Sequence, residues 1–250
     1  MGLFGSSSRR SERDSETRVG VHPAEPEVAR LTARLIAGLE DETERALAIY
    51  RHVKEHIAFG FTPRADHATP SETLRFGKGH SNPQATLFMV MLHEAGIEAR
   101  QHFVTISNDL VHGLFPSYAL PPRWLNHSHV ELKLAGEWIP IDGYVLDSAY
   151  QRNAVALLKE EGRTLGYSAH VDGAMDWDGR SPCMVQLVTD DMVVVDHGCF
   201  TEPELFYASP DYRHDFSELC LAMFGEFAAK PANERIESIR RLGRLEMQAS

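Results

Sequence analysis

Three places in this chain carry residue types that do acyl-transfer chemistry: Ser81, the pair His127 and His129, and Asp142. Ser81 follows Gly77-Lys-Gly-His80 and precedes Asn82-Pro83 and the apolar run Ala85–Ala95. Gly77 and Gly79 allow a tight loop. Ser81 or Asn82 can cap a helix whose first turn accepts Pro83. A serine there sits at the positive end of a helix, among N–H groups that have no intrahelical partner. Those groups can hold an oxyanion, so Ser81 reads as a nucleophile, although spacing alone favours the helix cap.

The base would come from the next pattern. His127–Leu134 alternates, with Val130, Leu132 and Leu134 on one face and His127, His129, Glu131 and Lys133 on the other. Ala135-Gly136 makes a two-residue hairpin turn and Glu137–Ile141 the return strand. Counting outward, Leu134 meets Glu137, His129 meets Asp142 and His127 meets Tyr144. Asp142 is then a same-face neighbour of both histidines. A histidine backed by a carboxylate is the base-and-orienter half of a nucleophilic triad, and also a common surface contact.

These residues need a scaffold. Ala85–Ala95 is apolar on nearly every side, which predicts a central helix ended by Gly96. Glu25–Leu39 and Asp41–His56 have helical spacing, the second with a capping-box pattern at Asp41 and Glu44, and should cover one side of it. Ala65–Gly77 reads as loop with a helical turn at Ser71–Leu74. Ile97–Ile106 reads as a strand and Ser107–Asn126 as a long Pro- and aromatic-containing loop bordering the site. Ser148–Glu161 is expected to be a helix and Tyr167–Arg180 irregular. Two short strands are expected within Cys183–Val195, and two helices at Asp215–Ala228 and Ala232–Met247. Met1–Arg18 has little to bury and is expected to be disordered.

The 250 residues are 43% hydrophobic and 24% charged, ordinary globular composition. The net charge of −11 argues against nucleic acid as a partner. The longest apolar run is too short to cross a bilayer, and no signal-peptide core follows Met1. Cys183, Cys199 and Cys220 form no recognisable metal spacing or disulfide framework, which suggests a reducing, cytoplasmic setting. His127-x-His129 with His80 or Glu131 is a weak metal pattern, since spacing fixes no third ligand. No metal and no cofactor is expected.

Several motifs in order carry a family resemblance. They are Gly77-Lys-Gly-His-Ser81, Ala85-Thr-Leu-Phe, Gly96-Ile-Glu-Ala-Arg100, His127-Ser-His-Val-Glu131, Gly136-Glu-Trp138 and Asp142. Together they resemble the transglutaminase-like superfamily of papain-like thiol enzymes, over about Glu25–Asp147. The resemblance implies an α+β fold, with the nucleophile helix packed on an antiparallel sheet and C-terminal helices added. Residues 1–18 would be a tail, 19–200 the domain and 201–250 a helical extension packed on it. It selects His127 as base, with Asp142 behind it, and puts His129 in a position the family fills with an aromatic residue. His80, Asn82, Trp124, His129 and Tyr144 are the candidate substrate-contacting side chains.

The implied activity is acyl transfer from an amide, peptide or thioester carbonyl to an amine or to water. The family carries cysteine where this chain has Ser81. A helix N-terminus favours a thiolate, whereas a serine hydroxyl needs a general base during attack. Three readings fit: a replacement of cysteine, a natural serine nucleophile, or a site that binds a peptide or acyl ligand without chemistry.

Overall fold

The run Ala85–Leu92 has no polar face, and a helix built from it must be enclosed. In the computed structural model, which describes residues 24–212 and 222–246, every residue from Ser81 to Leu92 is buried. The tail expected at Met1–Arg18 lies outside the described residues. Helix α1 is Pro26–Leu35, α2 is Glu42–His56, α3 is Pro70–Phe76 and α4 is Ser81–Glu94. The first three pack on α4 from one side. Asp41 caps α2 by accepting a hydrogen bond from the Glu44 N–H. Helix α3 replaces most of the expected 65–77 loop. Thr69 and Glu72 form a reciprocal capping box there, and Pro70 stands in the first turn.

The other side of α4 meets a four-stranded antiparallel sheet. Strands β1 (Ala58–Phe59) and β2 (Lys78–Gly79) form a separate two-stranded parallel ladder. The main sheet contains β3 (Ala99–Ser107), β4 (Trp124–Leu134), β5 (Glu137–Ile141) and β8 (Val193–Phe200), in the order β5-β4-β3-β8. Strand β4 starts at Trp124, earlier than its alternation suggests, because Trp124, Leu125 and Asn126 pair with the end of β3. Ala135 and Gly136 both have positive φ, and Leu134 pairs with Glu137 as the turn count requires. The loop after β3 carries short 3₁₀ turns at Asn108–Val111 and Ser117–Ala119.

Helix α5 (Ser148–Glu160) follows, capped by Asp147. The small hairpin of β6 (Leu165–Gly166) and β7 (Ala169–His170) lies in the irregular stretch beyond it. The first strand expected near Cys183 is only a bridge between Ile141 and Cys183. The N–H groups after it are taken by a side chain, as described below. The second expected strand is β8, which runs on to Phe200. Helix α6 is Pro203–Tyr207, and its Phe206 stacks on Phe103 of β3 at 4.1 Å. Of the expected helix Asp215–Ala228, residues 215–221 lie outside the described residues; the remainder enters a π-helical segment, Phe224–Ala229. That segment leads directly into α7, Lys230–Glu246. No helix of the described residues is long and apolar enough to cross a membrane.

Helix α7 packs on α5, and one arginine joins it to the core. Arg240 Nη2 donates to Asp147 Oδ2 at 2.7 Å and to the Phe59 carbonyl at 2.8 Å. Asp147 also accepts from the Tyr150 N–H, so one carboxylate serves α5, β1 and α7. Its side chain is only 10% exposed and that of Arg240 16%. Removing one partner of such a pair leaves a charge uncompensated. Arg240→Met is expected to lower unfolding free energy by about 3–5 kcal/mol in a urea titration. A loss below ~1 kcal/mol, the scale of a surface pair, would contradict this.

Candidate active site

The loop before Ser81 is held by α4 itself. Gln84 Nε2 donates to the Gly79 carbonyl at 2.8 Å, and a Cβ on Gly79 would come within 2.8 Å of the Gln84 side chain. Glycine is required there by close approach. His80 occupies the N-cap position and offers no side-chain cap, and Ser81 begins the helix. Pro83 has no N–H, so the first turn presents the N–H groups of Ser81 and Asn82. A buried network ties this turn to the sheet: Ser128 Oγ donates to Asn82 Oδ1, Gln101 Nε2 to Ser128 Oγ and Thr86 Oγ1 to Gln101 Oε1.

Ser81 opens onto a cavity of about 380 Å³. His127 lines the same cavity, as do His80 and Asp66. Phe59, Phe61 and Phe115 form apolar wall, and the 108–126 loop contributes Val111, Leu120, Pro121 and Pro122. Gln186 and Ser168 add polar groups, joined by a hydrogen bond from Gln186 Nε2 to the Ser168 carbonyl at 2.8 Å. The size suits a substantial part of a small ligand or one peptide side chain with its carbonyl.

His127 is buried, and its Nε2 has no hydrogen-bond partner. Burial, with smaller contributions from His129 and His80, pushes its pKa down to about 3. It is therefore a neutral imidazole at ordinary pH, the form that accepts a proton. None of the hydrogen bonds among the described residues joins His127 to Ser81 or to Asp142.

Asp142 has other partners. Its carboxylate accepts from the backbone N–H groups of Val185, Gln186 and Leu187, the latter two at 3.1 Å. Burial raises it to about 6, with those N–H bonds pulling the other way. Asp142 thus holds the segment that brings Gln186 to the cavity wall.

A histidine–carboxylate pair does stand beside Ser81, but it is a different one. His80 Nε2 and Asp66 Oδ1 are 2.7 Å apart, and Tyr212 Oη donates to Asp66 Oδ2 at 2.9 Å. Asp66 was not singled out by the sequence. It lies 14 positions before His80, across α3, and no periodicity links them.

Four of the side chains expected to touch substrate do not line the cavity. Asn82 is fully buried in the network above. Tyr144 is fully buried against Phe88, with ring centroids 4.5 Å apart. Trp124 is exposed, with Arg123 over its ring at 4.8 Å. His129 lies two residues along β4 from His127, in a polar cluster on the sheet face turned away from α4, its ring 4.8 Å from that of His102. His80 does line the cavity.

Residues 29–143 match the family model of the transglutaminase-like superfamily. No curated protein matches the chain. Among solved structures, a candidate protease from Parabacteroides distasonis aligns at 16% identity over 48% of this chain and 24% of that one, with a TM-score of 0.36. A candidate cysteine protease from Cytophaga hutchinsonii aligns at 18% identity over 50% of this chain and 40% of that one, with a TM-score of 0.39. The chain spans less than half the length of either protein. Over residues 29–143, which include Ser81, His127 and Asp142, the chain is similar to the transglutaminase-like superfamily.

Proposed function

We propose that residue 81 is an acyl-accepting nucleophile and His127 its general base, in transfer from an amide, peptide or thioester carbonyl to an amine or to water. The observation that carries this is the meeting of two features in one cavity: Ser81 at a helix start without a side-chain cap, and a neutral His127 whose Nε2 is free. Ser81 Oγ attacks the carbonyl carbon while His127 takes its proton. The oxyanion is met by the N–H groups of the α4 first turn. The protonated imidazole then returns the proton to the leaving amine or thiolate. An incoming amine or water, deprotonated by the same ring, releases the acyl group. The apolar wall of Phe59, Phe61 and Phe115 takes the acyl chain and excludes water.

Catalytic hydrogen bonds often tighten only with substrate, so the absence of a Ser81–His127 bond is compatible with this role. One observation favours the second reading, a binding module: Asp142 is engaged by three backbone N–H groups. On that reading the cavity holds a peptide or acyl ligand and no covalent step follows.

Intact-mass measurement after incubation with an activated ester separates the two. The acyl adduct should map to Ser81, disappear in Ser81→Ala and form roughly 10²–10⁴ times more slowly in His127→Gln, the range for loss of a general base. An adduct that persists in Ser81→Ala lies elsewhere and removes the assignment. Ligand retention without any adduct supports the binding module.

A further inference from the structure

The sheet face turned away from α4 carries a second cluster. Across three neighbouring strands, His102 of β3 pairs in register with His129 of β4 and with Cys199 of β8. Glu131 stands two residues beyond His129, on the same face. One donor atom each from His102, Glu131 and Cys199 lies within 4.8 Å of the other two. We propose that these three side chains bind a divalent cation of the zinc class, held by His102 Nδ1, Glu131 Oε1 and Cys199 Sγ.

The chemistry of the donors fits. Imidazole, carboxylate and thiolate are the ligand types zinc takes, with bonds of about 2.0–2.3 Å, which sets tetrahedral donors roughly 3.3–3.8 Å apart. His102 Nδ1 and Glu131 Oε1 are 2.9 Å apart and need widen by only about half an ångström. A fourth donor is at hand in His129. Its side chain is 10% exposed, its Nε2 faces the same Glu131 oxygen at 3.9 Å, and its Nδ1 is buried without a partner.

The surrounding groups already orient the ligands. Asp196 Oδ1 lies 2.7 Å from His102 Nε2, which keeps a proton on that nitrogen and turns Nδ1 inward as the ligand. Asp196 is itself held by the Gly198 N–H at 2.8 Å. Arg100 occupies the other Glu131 oxygen, Oε2, with Nε at 2.8 Å and Nη2 at 2.6 Å, and leaves Oε1 to the histidines. Trp138 lies against that guanidinium at 4.1 Å. Binding sends the Nδ1 proton of His102 and the thiol proton of Cys199 to solvent. A cation of charge +2 then meets the negative charges of Glu131, Asp196 and the thiolate, less the one of Arg100.

The test uses untagged full-length protein, stripped with a chelator and titrated with Co²⁺ and then Zn²⁺. One equivalent of Co²⁺ should bind with a sulfur-to-cobalt charge-transfer band, which Zn²⁺ displaces. Cys199→Ser should abolish the band, and His102→Gln should weaken binding by at least ~100-fold, while Cys183→Ser and Ser81→Ala leave both unchanged. Zn²⁺ should also raise the melting temperature of the parent protein but not of folded Cys199→Ser. A band that survives in Cys199→Ser places the cation on another thiol and overturns the assignment. Binding no tighter than millimolar in the folded parent shows an ion-pair network alone and equally overturns it.

Discussion

Ser81→Cys is expected to react with iodoacetamide at least roughly tenfold faster than the background thiols, and to form an acyl-enzyme with thioester or ester donors far faster than the parent. Position 81 supplies what a thiolate needs. It begins α4, where the N–H groups and the helix dipole favour negative charge. It lines a cavity shared with His127, a neutral ring near pH 7 that can take the thiol proton as the sulfur attacks. The substitution changes one atom at a residue 6% exposed, beside open cavity, so no repacking is required.

The background is manageable. Cys183 is buried, and burial lifts its thiol to about 11, so it alkylates slowly. Cys199 is more accessible, and the measurement is best made with Cys199→Ser in every arm. His127→Gln added to Ser81→Cys should remove most of the acceleration. If Ser81→Cys alkylates no faster than Ser81→Ala between mildly acidic and neutral pH, residue 81 is not an activated nucleophile and the binding module becomes the better description.

Asp142→Ala should be strongly destabilising. Its carboxylate is fully buried and serves three backbone donors of Val185–Leu187. Leaving buried N–H groups unpaired costs about 1–3 kcal/mol each, partly offset because the buried carboxylate is itself costly. A net loss of about 3–5 kcal/mol follows, which for a domain of this length lowers the melting temperature by roughly 6–20 °C. Asp142→Asn keeps one acceptor oxygen and should fall between.

The pH dependence has a definite sign. The native carboxyl is raised to about 6, above the usual ~3.9 of an unfolded aspartate, so the folded state holds the extra proton between those values. Stability from this group is therefore present at low pH and declines as pH rises from ~4 through ~6. Asp142→Asn should remove that component of the stability-against-pH curve. An Asp142→Ala protein that melts with the parent and loses only acylation would instead assign Asp142 to orienting His127.

Local chemistry was readable from the chain. Ala85–Leu92 has no polar face, so its burial at the centre followed from composition alone. Ala135-Gly136 accepts the left-handed backbone a tight hairpin needs, and this set the β4–β5 register from Leu134–Glu137 outward. Asp41 capped the helix it preceded. Ser81 at a helix start and His127 on a strand were likewise legible, because each depends on neighbours a few positions away.

What the tertiary structure decided were pairings between distant segments. The hairpin count put Asp142 across from His129, and it could not show that N–H groups 43 to 45 residues further on would claim the carboxylate. Those three donors were already one cause of the missing strand after Cys183. Nor could spacing show that Asp66 would reach His80 across α3, or that β8 would lie beside β3 and set Cys199 next to His102. Strand order is chosen by which apolar faces can be covered together, as Phe103 and Phe206 are here, and that choice is made by the whole chain at once. Sequence periodicity reports which face of an element is apolar; it carries no label for the partner that will cover it.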